Sequence, residues 1–198
     1  MKPVELQMRE LLGESVYLPN LVTIGRILLI PVFVMLFADP TPTRSLIAAC
    51  VFVVAAATDL LDGYLARRRG QVTSLGKLLD PIADKLLVLS GLILLVQYDR
   101  VPAVIAILII AREVAVTGVR AVAASQGIVI AAETLGKYKM VVQVIAIVML
   151  ILQNDFLPMP VGLHQVGTVL LYGSLALALV SGGNYLAGFW RQVTVRGL

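Results

Sequence analysis

Six long apolar runs, separated by short polar segments, limit the folds open to this chain more than any other feature. Each run has about 20 residues, which is the length that an α-helix needs to cross a bilayer. Only 14% of the residues are charged, against about a quarter in soluble domains. Because backbone groups in lipid must bond within their own segment, we predict an all-α membrane protein with six transmembrane helices. The predicted spans are 21–38, 45–66, 76–97, 102–124, 133–153 and 166–189.

A shorter amphipathic segment precedes the first span. Val4, Met8, Leu11 and Leu12 recur at helical spacing, with charged residues between them. This pattern is typical of a helix that lies in the membrane interface, and a partner-binding helix is the alternative. We therefore predict a single transmembrane domain over residues 1–198, made of an interfacial helix at 1–18 and a six-helix core at 19–190.

The basic residues predict the orientation of this domain. With six spans both chain ends lie on one side, and fourteen of the 16 Lys and Arg residues group with them, leaving Arg44 and Arg100 opposite. Because Lys and Arg concentrate on the cytoplasmic side of membrane proteins, we expect both chain ends in the cytoplasm. The positive charge flanks apolar spans, which indicates membrane lipid phosphates and not nucleic acid as its partner.

Four aspartates concentrate at the cytoplasmic ends of the second and third spans. Asp59 and Asp62 are three residues apart, and Asp80 and Asp84 are four apart, so each pair shares one face if its segment is helical. Carboxylates gathered in a low dielectric repel one another and need cations. Oxygen ligands without a nearby Cys or His suit Mg²⁺, Mn²⁺ or Ca²⁺ better than zinc. The sequence predicts a divalent-metal site, and a solvated helix-loop-helix corner is the alternative.

The spacing around these acids resembles a known signature. It reads Asp59-x2-Asp62-Gly63-x2-Ala66-Arg67-x8-Gly76-x3-Asp80-x3-Asp84. This pattern resembles in full the signature of the CDP-alcohol phosphotransferase family of integral membrane enzymes. The resemblance implies a displacement at the phosphorus of a CDP-linked diacylglycerol, with two Mg²⁺ or Mn²⁺ ions at the four aspartates. It also implies that Asp84 takes the proton from the acceptor hydroxyl.

Eight residues are assigned by the resemblance to binding of CDP-diacylglycerol. Three of them begin the first span, where family members often carry a similar pattern near the nucleotide. For Arg26 the alternative is that its side chain snorkels to the membrane interface. Small residues within the signature let a bulky ligand approach the backbone. The eight residues are Asn20, Thr23, Arg26, Gly63, Ala66, Arg67, Thr73 and Gly76.

Four basic residues in the second half of the chain form a second candidate site. Arg112 and Arg120 lie in the fourth span, and Lys137 and Lys139 begin the fifth. These cations have no equal number of acids nearby, a composition that suits a mobile phosphate. Their context is similar to the glycerophosphate branch of the family, which implies glycerol 3-phosphate as acceptor, with phosphatidylglycerol phosphate and CMP as products. Inositol phosphate is the alternative acceptor, and an internal ion pair with an aspartate or with Glu113 of a partner helix is the alternative role for Arg112.

Two further expectations concern assembly and protein class. The resemblance implies a homodimer, and we expect it in a bacterial inner membrane with the site facing the cytoplasm. A divalent-cation transporter is the rival from another class, because four acids also suit a transport site. A transport path should place acids at several depths, whereas the outer half of this chain has only Asp39, Asp99 and Asp155, near its loops. The sequence therefore favours an enzyme.

Overall fold

The computed structural model describes residues 18–69, 74–126, 134–153 and 162–196, and every regular element in those ranges is an α-helix. This confirms the all-α prediction for the described residues. The segment 1–17, which holds nearly all of the predicted interfacial helix, lies outside them. The helices are α1 (Leu18–Phe37), α2 (Pro42–Arg69), α3 (Ser74–Gln97), α4 (Ala103–Ser125), α5 (Thr134–Leu152) and α6 (Leu163–Arg196).

Each of these helices coincides with one of the six predicted spans and leaves out at most one predicted residue at either end. Within the described residues, the stretch Leu163–Thr194 of α6, with a mean hydropathy of 1.7, is long and apolar enough to cross a membrane. Four shorter apolar helical stretches are Thr23–Phe37, Pro42–Thr58, Lys85–Gln97 and Tyr138–Leu152. The six membrane crossings therefore remain a prediction. The chain divides into two compact units, Met1–Leu94 and Leu95–Leu198.

In the first unit, an aromatic cluster joins α1 to α2. Phe33 stacks on Phe37 with 5.9 Å between ring centroids, and its ring lies 5.3 Å from that of Phe52 on α2. All three side chains are fully buried. Ala48 and Ala55 lie on the same face of α2 as Phe52 and are also buried, so this apolar face packs against α1.

A capped turn connects these two helices. Thr41 precedes Pro42, the first residue of α2, and its hydroxyl accepts a hydrogen bond from the Arg44 amide at 3.4 Å. Threonine at the N-cap with proline at the first helical position is a favoured way to begin a helix. Arg44 also pairs with Asp39 at 2.8 Å on the exposed surface. The connection between α1 and α2 therefore has a specific capping residue, Thr41.

In the second unit, α6 packs against both α4 and α5. The contact with α5 is close at Gly167, where an added Cβ would lie 3.0 Å from Leu150 Cγ and 3.2 Å from the Ala146 carbonyl oxygen. Ala146 and Leu150 are fully buried. Glycine at this position therefore lets the two helices approach one another more closely than a side chain would allow.

Arg100 ties the segment after α3 to the end of α5. The backbone after α3 closes with hydrogen bonds from the Asp99 amide to the Val96 carbonyl and from the Arg100 amide to the Leu95 carbonyl, with Asp99 at φ 54°. Arg100 Nη1 then donates to the carbonyls of Leu150 at 3.1 Å and Ile151 at 2.6 Å. The last carbonyls of a helix lack partners within it and favour a cation. Arg100 is thus a buried cap on α5 as well as an expected topology marker.

Candidate active site

The four signature aspartates lie on two of the described helices. Asp59 and Asp62 are in α2, and Asp80 and Asp84 are in α3. Continuous helix at both pairs supports the premise that each pair occupies one helix face. The side chains of residues 59–81 and of Asp84 lie outside the described part of the structure. Metal binding by these aspartates therefore stays a prediction, as do the roles of Gly63, Ala66, Arg67, Thr73 and Gly76.

Arg26 links α1 to the turn of α2 that precedes the first aspartate. Its Nε donates to the Ala55 carbonyl at 3.1 Å and to Thr58 Oγ1 at 3.4 Å. The residue is 1% exposed, so it does not snorkel to an interface. Thr58 directly precedes Asp59 in the chain. A buried cation is therefore bonded to the residue that directly precedes the signature, and its field there favours anionic groups.

Thr23 and Thr58 complete this part of the site. Thr23, one turn before Arg26 on α1, is also 1% exposed. The Thr58 hydroxyl donates to the Ala55 carbonyl at 2.7 Å while accepting from Arg26, so it orients the guanidinium. Sequence reasoning missed Thr58, although a threonine that can bond back to its own helix beside a signature acid was a usable signal. The side chain of Asn20 lies outside the described residues.

The second candidate site brings Arg112 and Lys139 together around one carboxylate. Arg112 Nη1 donates to Glu113 Oε1 at 3.0 Å, and Lys139 Nζ donates to the same oxygen. The side chains of Arg112, Lys139 and Glu113 are 13%, 7% and 22% exposed. An ion pair between Arg112 and Glu113 is therefore present, but it joins neighbouring residues of α4 and not two helices, as the alternative role for Arg112 had it. Two cations from different helices therefore share one carboxylate oxygen.

Arg112 is also bound along one edge by α6. Its Nε donates to the Ala178 carbonyl at 2.8 Å, and its Nη2 donates to Ser181 Oγ at 2.6 Å. Gly182 lies beside these contacts, since an added Cβ there would be 3.2 Å from Arg112 Nε. Sequence reasoning identified Arg112 but not the α6 residues that hold it. Their glycine and serine gave only a general signal of close helix packing.

The other two predicted acceptor residues lie on the same helices. The Arg120 guanidinium is 5.7 Å from the centroid of the Tyr185 ring on α6, within the range of a cation–π contact. Lys137 is in α5 two residues before Lys139, and its side chain lies outside the described residues. One turn after Lys139, Gln143 is 2% exposed and its amide nitrogen has no hydrogen-bond partner among the described residues. Sequence reasoning did not select Gln143.

Comparison with known proteins places this arrangement in a family. Residues 16–180 match the family model described as CDP-alcohol phosphatidyltransferase. The chain is 42% identical over 188 residues to the CDP-diacylglycerol–glycerol-3-phosphate 3-phosphatidyltransferase of Bacillus subtilis (strain 168), covering 89% of this chain and 96% of that protein. It is 39% identical over 168 residues to the protein of the same name from Rickettsia bellii (strain RML369-C), covering 85% and 92%.

A relative with a different name also matches. The cardiolipin synthase (CMP-forming) of Oryza sativa subsp. japonica is 36% identical over 189 residues, which cover 88% of this chain and 57% of that protein. The two bacterial relatives align over nearly their whole length, and the family match spans both the aspartate signature and the cluster around Glu113. The chain therefore belongs to the CDP-alcohol phosphatidyltransferase family.

Proposed function

We propose that this protein transfers the phosphatidyl group of CDP-diacylglycerol to glycerol 3-phosphate, giving phosphatidylglycerol phosphate and CMP. The observation that carries the proposal is the match, over nearly their whole length, to bacterial relatives named for these two substrates. The complete signature from Asp59 to Asp84 supports the phosphatidyl transfer. The basic cluster around Glu113 supports an anionic acceptor.

The reaction is a displacement at phosphorus. A hydroxyl oxygen of glycerol 3-phosphate attacks the phosphorus that carries diacylglycerol, the bond from that phosphorus to the CMP oxygen breaks, and Asp84 accepts the hydroxyl proton. Asp59, Asp62, Asp80 and Asp84 would hold two Mg²⁺ or Mn²⁺ ions, because four carboxylates form the oxygen-only donor set that these ions prefer. When bound, such ions neutralise the negative charge on the attacked phosphate and on the leaving group.

Two groups of residues bind the substrates in this proposal. CDP-diacylglycerol is held by Asn20, Thr23, Arg26, Gly63, Ala66, Arg67, Thr73 and Gly76. The buried position of Arg26 beside the start of the signature supports a role near a phosphate. The phosphate of the acceptor is held by Arg112, Arg120, Lys137 and Lys139. The meeting of Arg112 and Lys139 at one oxygen of Glu113 supports that assignment, because it brings cations from two helices together in one place.

We also propose that all six helices cross a bacterial inner membrane, with the site facing the cytoplasm, and that the protein is a homodimer. Large apolar side chains on the outer faces of the described helices support membrane insertion. Leu28, Met35, Val104 and Val169 are between 65% and 75% exposed, and such surfaces are unfavourable in water. The single transmembrane domain and the interfacial helix at 1–18 belong to the same proposal.

An acceptor panel tests the activity directly. Purified protein in mixed micelles, with CDP-diacylglycerol and Mg²⁺ or Mn²⁺, is given glycerol 3-phosphate, inositol phosphate or phosphatidylglycerol in turn. We expect CMP release with glycerol 3-phosphate and a lipid product of the mass of phosphatidylglycerol phosphate. CMP release only with another acceptor would overturn the choice of acceptor. Cation flux into vesicles with no CMP release would favour the divalent-cation transporter.

Phosphatidylglycerol is the second candidate acceptor, because the plant relative is named cardiolipin synthase (CMP-forming). The bacterial relatives at higher identity carry the other name, and phosphatidylglycerol has less use for four cations than glycerol 3-phosphate has. The same panel separates the two, since the products differ by a whole diacylglycerol unit in mass.

A further inference from the structure

The guanidinium of Arg112 is held on one edge by a single turn of α6. Nε and Nη2 form this edge, and they donate to the Ala178 carbonyl at 2.8 Å and to Ser181 Oγ at 2.6 Å. Ser181 is 5% exposed, and its own hydroxyl donates to the same carbonyl at 3.3 Å. The serine oxygen is therefore oriented by its helix before it accepts from the arginine. This turn of α6 presents two acceptors at the spacing of a guanidinium edge.

Gly182 leaves the space that the guanidinium occupies. A Cβ on this residue would lie 3.2 Å from Arg112 Nε and 3.4 Å from Val116 Cγ2. The atom that would have to move, Arg112 Nε, belongs to a side chain and not to the backbone. A methyl group at position 182 would therefore shift the guanidinium by a few tenths of an ångström while leaving the helices in place.

We infer that Ser181 and Gly182 of α6 are positioning residues, which orient Arg112 for the phosphate of the acceptor. The inference rests on the proposed function and adds to it two residues that touch neither substrate. With one edge bound by α6 and one Nη1 hydrogen donated to Glu113, one N–H on each terminal nitrogen is not engaged by any described residue. These two N–H groups can donate to phosphate oxygens. A fixed edge thus keeps the guanidinium oriented for a phosphate.

Substitutions at Ser181 test the hydrogen bond. Ser181→Ala removes an acceptor from a charged donor, so we expect the KM for glycerol 3-phosphate to rise about tenfold. The KM for CDP-diacylglycerol should stay within about twofold of its normal value. Ser181→Thr keeps the hydroxyl and should restore most of the loss. Ser174→Ala is the matched control, because Ser174 is a fully buried serine of the same helix whose hydroxyl donates to its own helix at Leu171.

Substitutions at Gly182 and Gly183 separate a positioning role of Gly182 from a role in folding. Gly182→Ala should raise the KM for glycerol 3-phosphate about threefold or more, since small displacements of a binding group are costly. The thermal midpoint should be unchanged or higher, because alanine favours a helix more than glycine does. Gly183→Ala is the control, since a Cβ there meets nothing within 4 Å. A merely structural role for Gly182 would lower stability and activity together.

A double-mutant cycle decides whether both residues act through Arg112. In an Arg112→Ala background, Ser181→Ala and Gly182→Ala should have no further effect on the KM for the acceptor. An undiminished effect in that background, or equal effects of the test and control variants, would overturn the inference. If the unaltered protein releases CMP only with another acceptor, the proposed function is wrong, and the same cycle measured on that acceptor still decides the role of α6. Absence of CMP release with every acceptor would overturn both.

Discussion

Replacing Glu113 with glutamine removes the charge of this residue while keeping most of its shape. Glu113 accepts from Arg112 Nη1 at 3.0 Å and from Lys139 Nζ, and none of the three side chains is more than 22% exposed. Arg112 would retain its bonds to Ala178 and Ser181. The loss should therefore fall mainly on Lys139, whose buried ammonium group would lose the charge of Glu113.

The expected loss of stability in Glu113→Gln follows from the burial of the ion pair. Removing one partner of a buried ion pair costs about 3 to 5 kcal/mol. Because glutamine keeps an acceptor oxygen, we expect the lower end of that range for Glu113→Gln, and hence a thermal midpoint lowered by about 6 to 12 °C. The assay is thermal unfolding of the purified protein in detergent, followed by circular dichroism. Asp39→Asn is the control, since its ion pair with Arg44 is exposed and should contribute about 1 kcal/mol or less.

A second variant tests the reasoning behind the predicted fall in the thermal midpoint. Adding Lys139→Met to Glu113→Gln removes both members of the pair, so the double variant should be less destabilised than the sum of the single variants. Two results would refute the argument: a midpoint for Glu113→Gln within about 2 °C of the unaltered protein, or losses that simply add. Either would mean that the buried charges are not coupled.

Four further predictions concern other parts of the chain. Asp80→Ala, or removal of divalent metal by chelation, should lower CMP release at least about 100-fold. Restoration of CMP release by added Mg²⁺ or Mn²⁺ is the control for chelation. Normal CMP release after either change would contradict the metal assignment. Arg26→Met should lower the unfolding free energy by about 2 kcal/mol, because α2 loses the buried charged donor that Arg26 provides. It should also raise the KM for CDP-diacylglycerol. An unchanged thermal midpoint would argue against a stabilising bond from Arg26 to α2. Lys137→Ala should raise the KM for glycerol 3-phosphate while the KM for CDP-diacylglycerol stays near normal, and equal increases in both would count against separate sites. Gln143→Leu should raise the thermal midpoint, since a buried amide nitrogen without a partner among the described residues costs about 1 to 3 kcal/mol; a lower midpoint would show that this amide makes a bond the structure does not describe.

Much of the candidate site was predictable because its residues lie close together in the sequence. The aspartates of the signature are three or four residues apart, and that spacing alone places each pair on one face of a helix. Arg26 was selected by the family resemblance. Arg112 and Lys139 were selected as members of a group of cations without an equal number of acids nearby. Their partners were not predictable in the same way. The sequence left Glu113 as one of several choices for Arg112, and Ser181 and Thr58 were not identified.

The sequence by itself determined the six helices, their approximate ends and the family. Helix formation depends on hydrogen bonds four residues apart, and the length and apolar character of each run can be read directly from the chain. Tertiary structure alone decided how the charged residues are held. Arg26 bonds to a carbonyl 29 residues away, Arg100 to one 50 residues away and Arg112 to one 66 residues away. Such contacts depend on which faces of two helices meet, and local sequence patterns do not specify this.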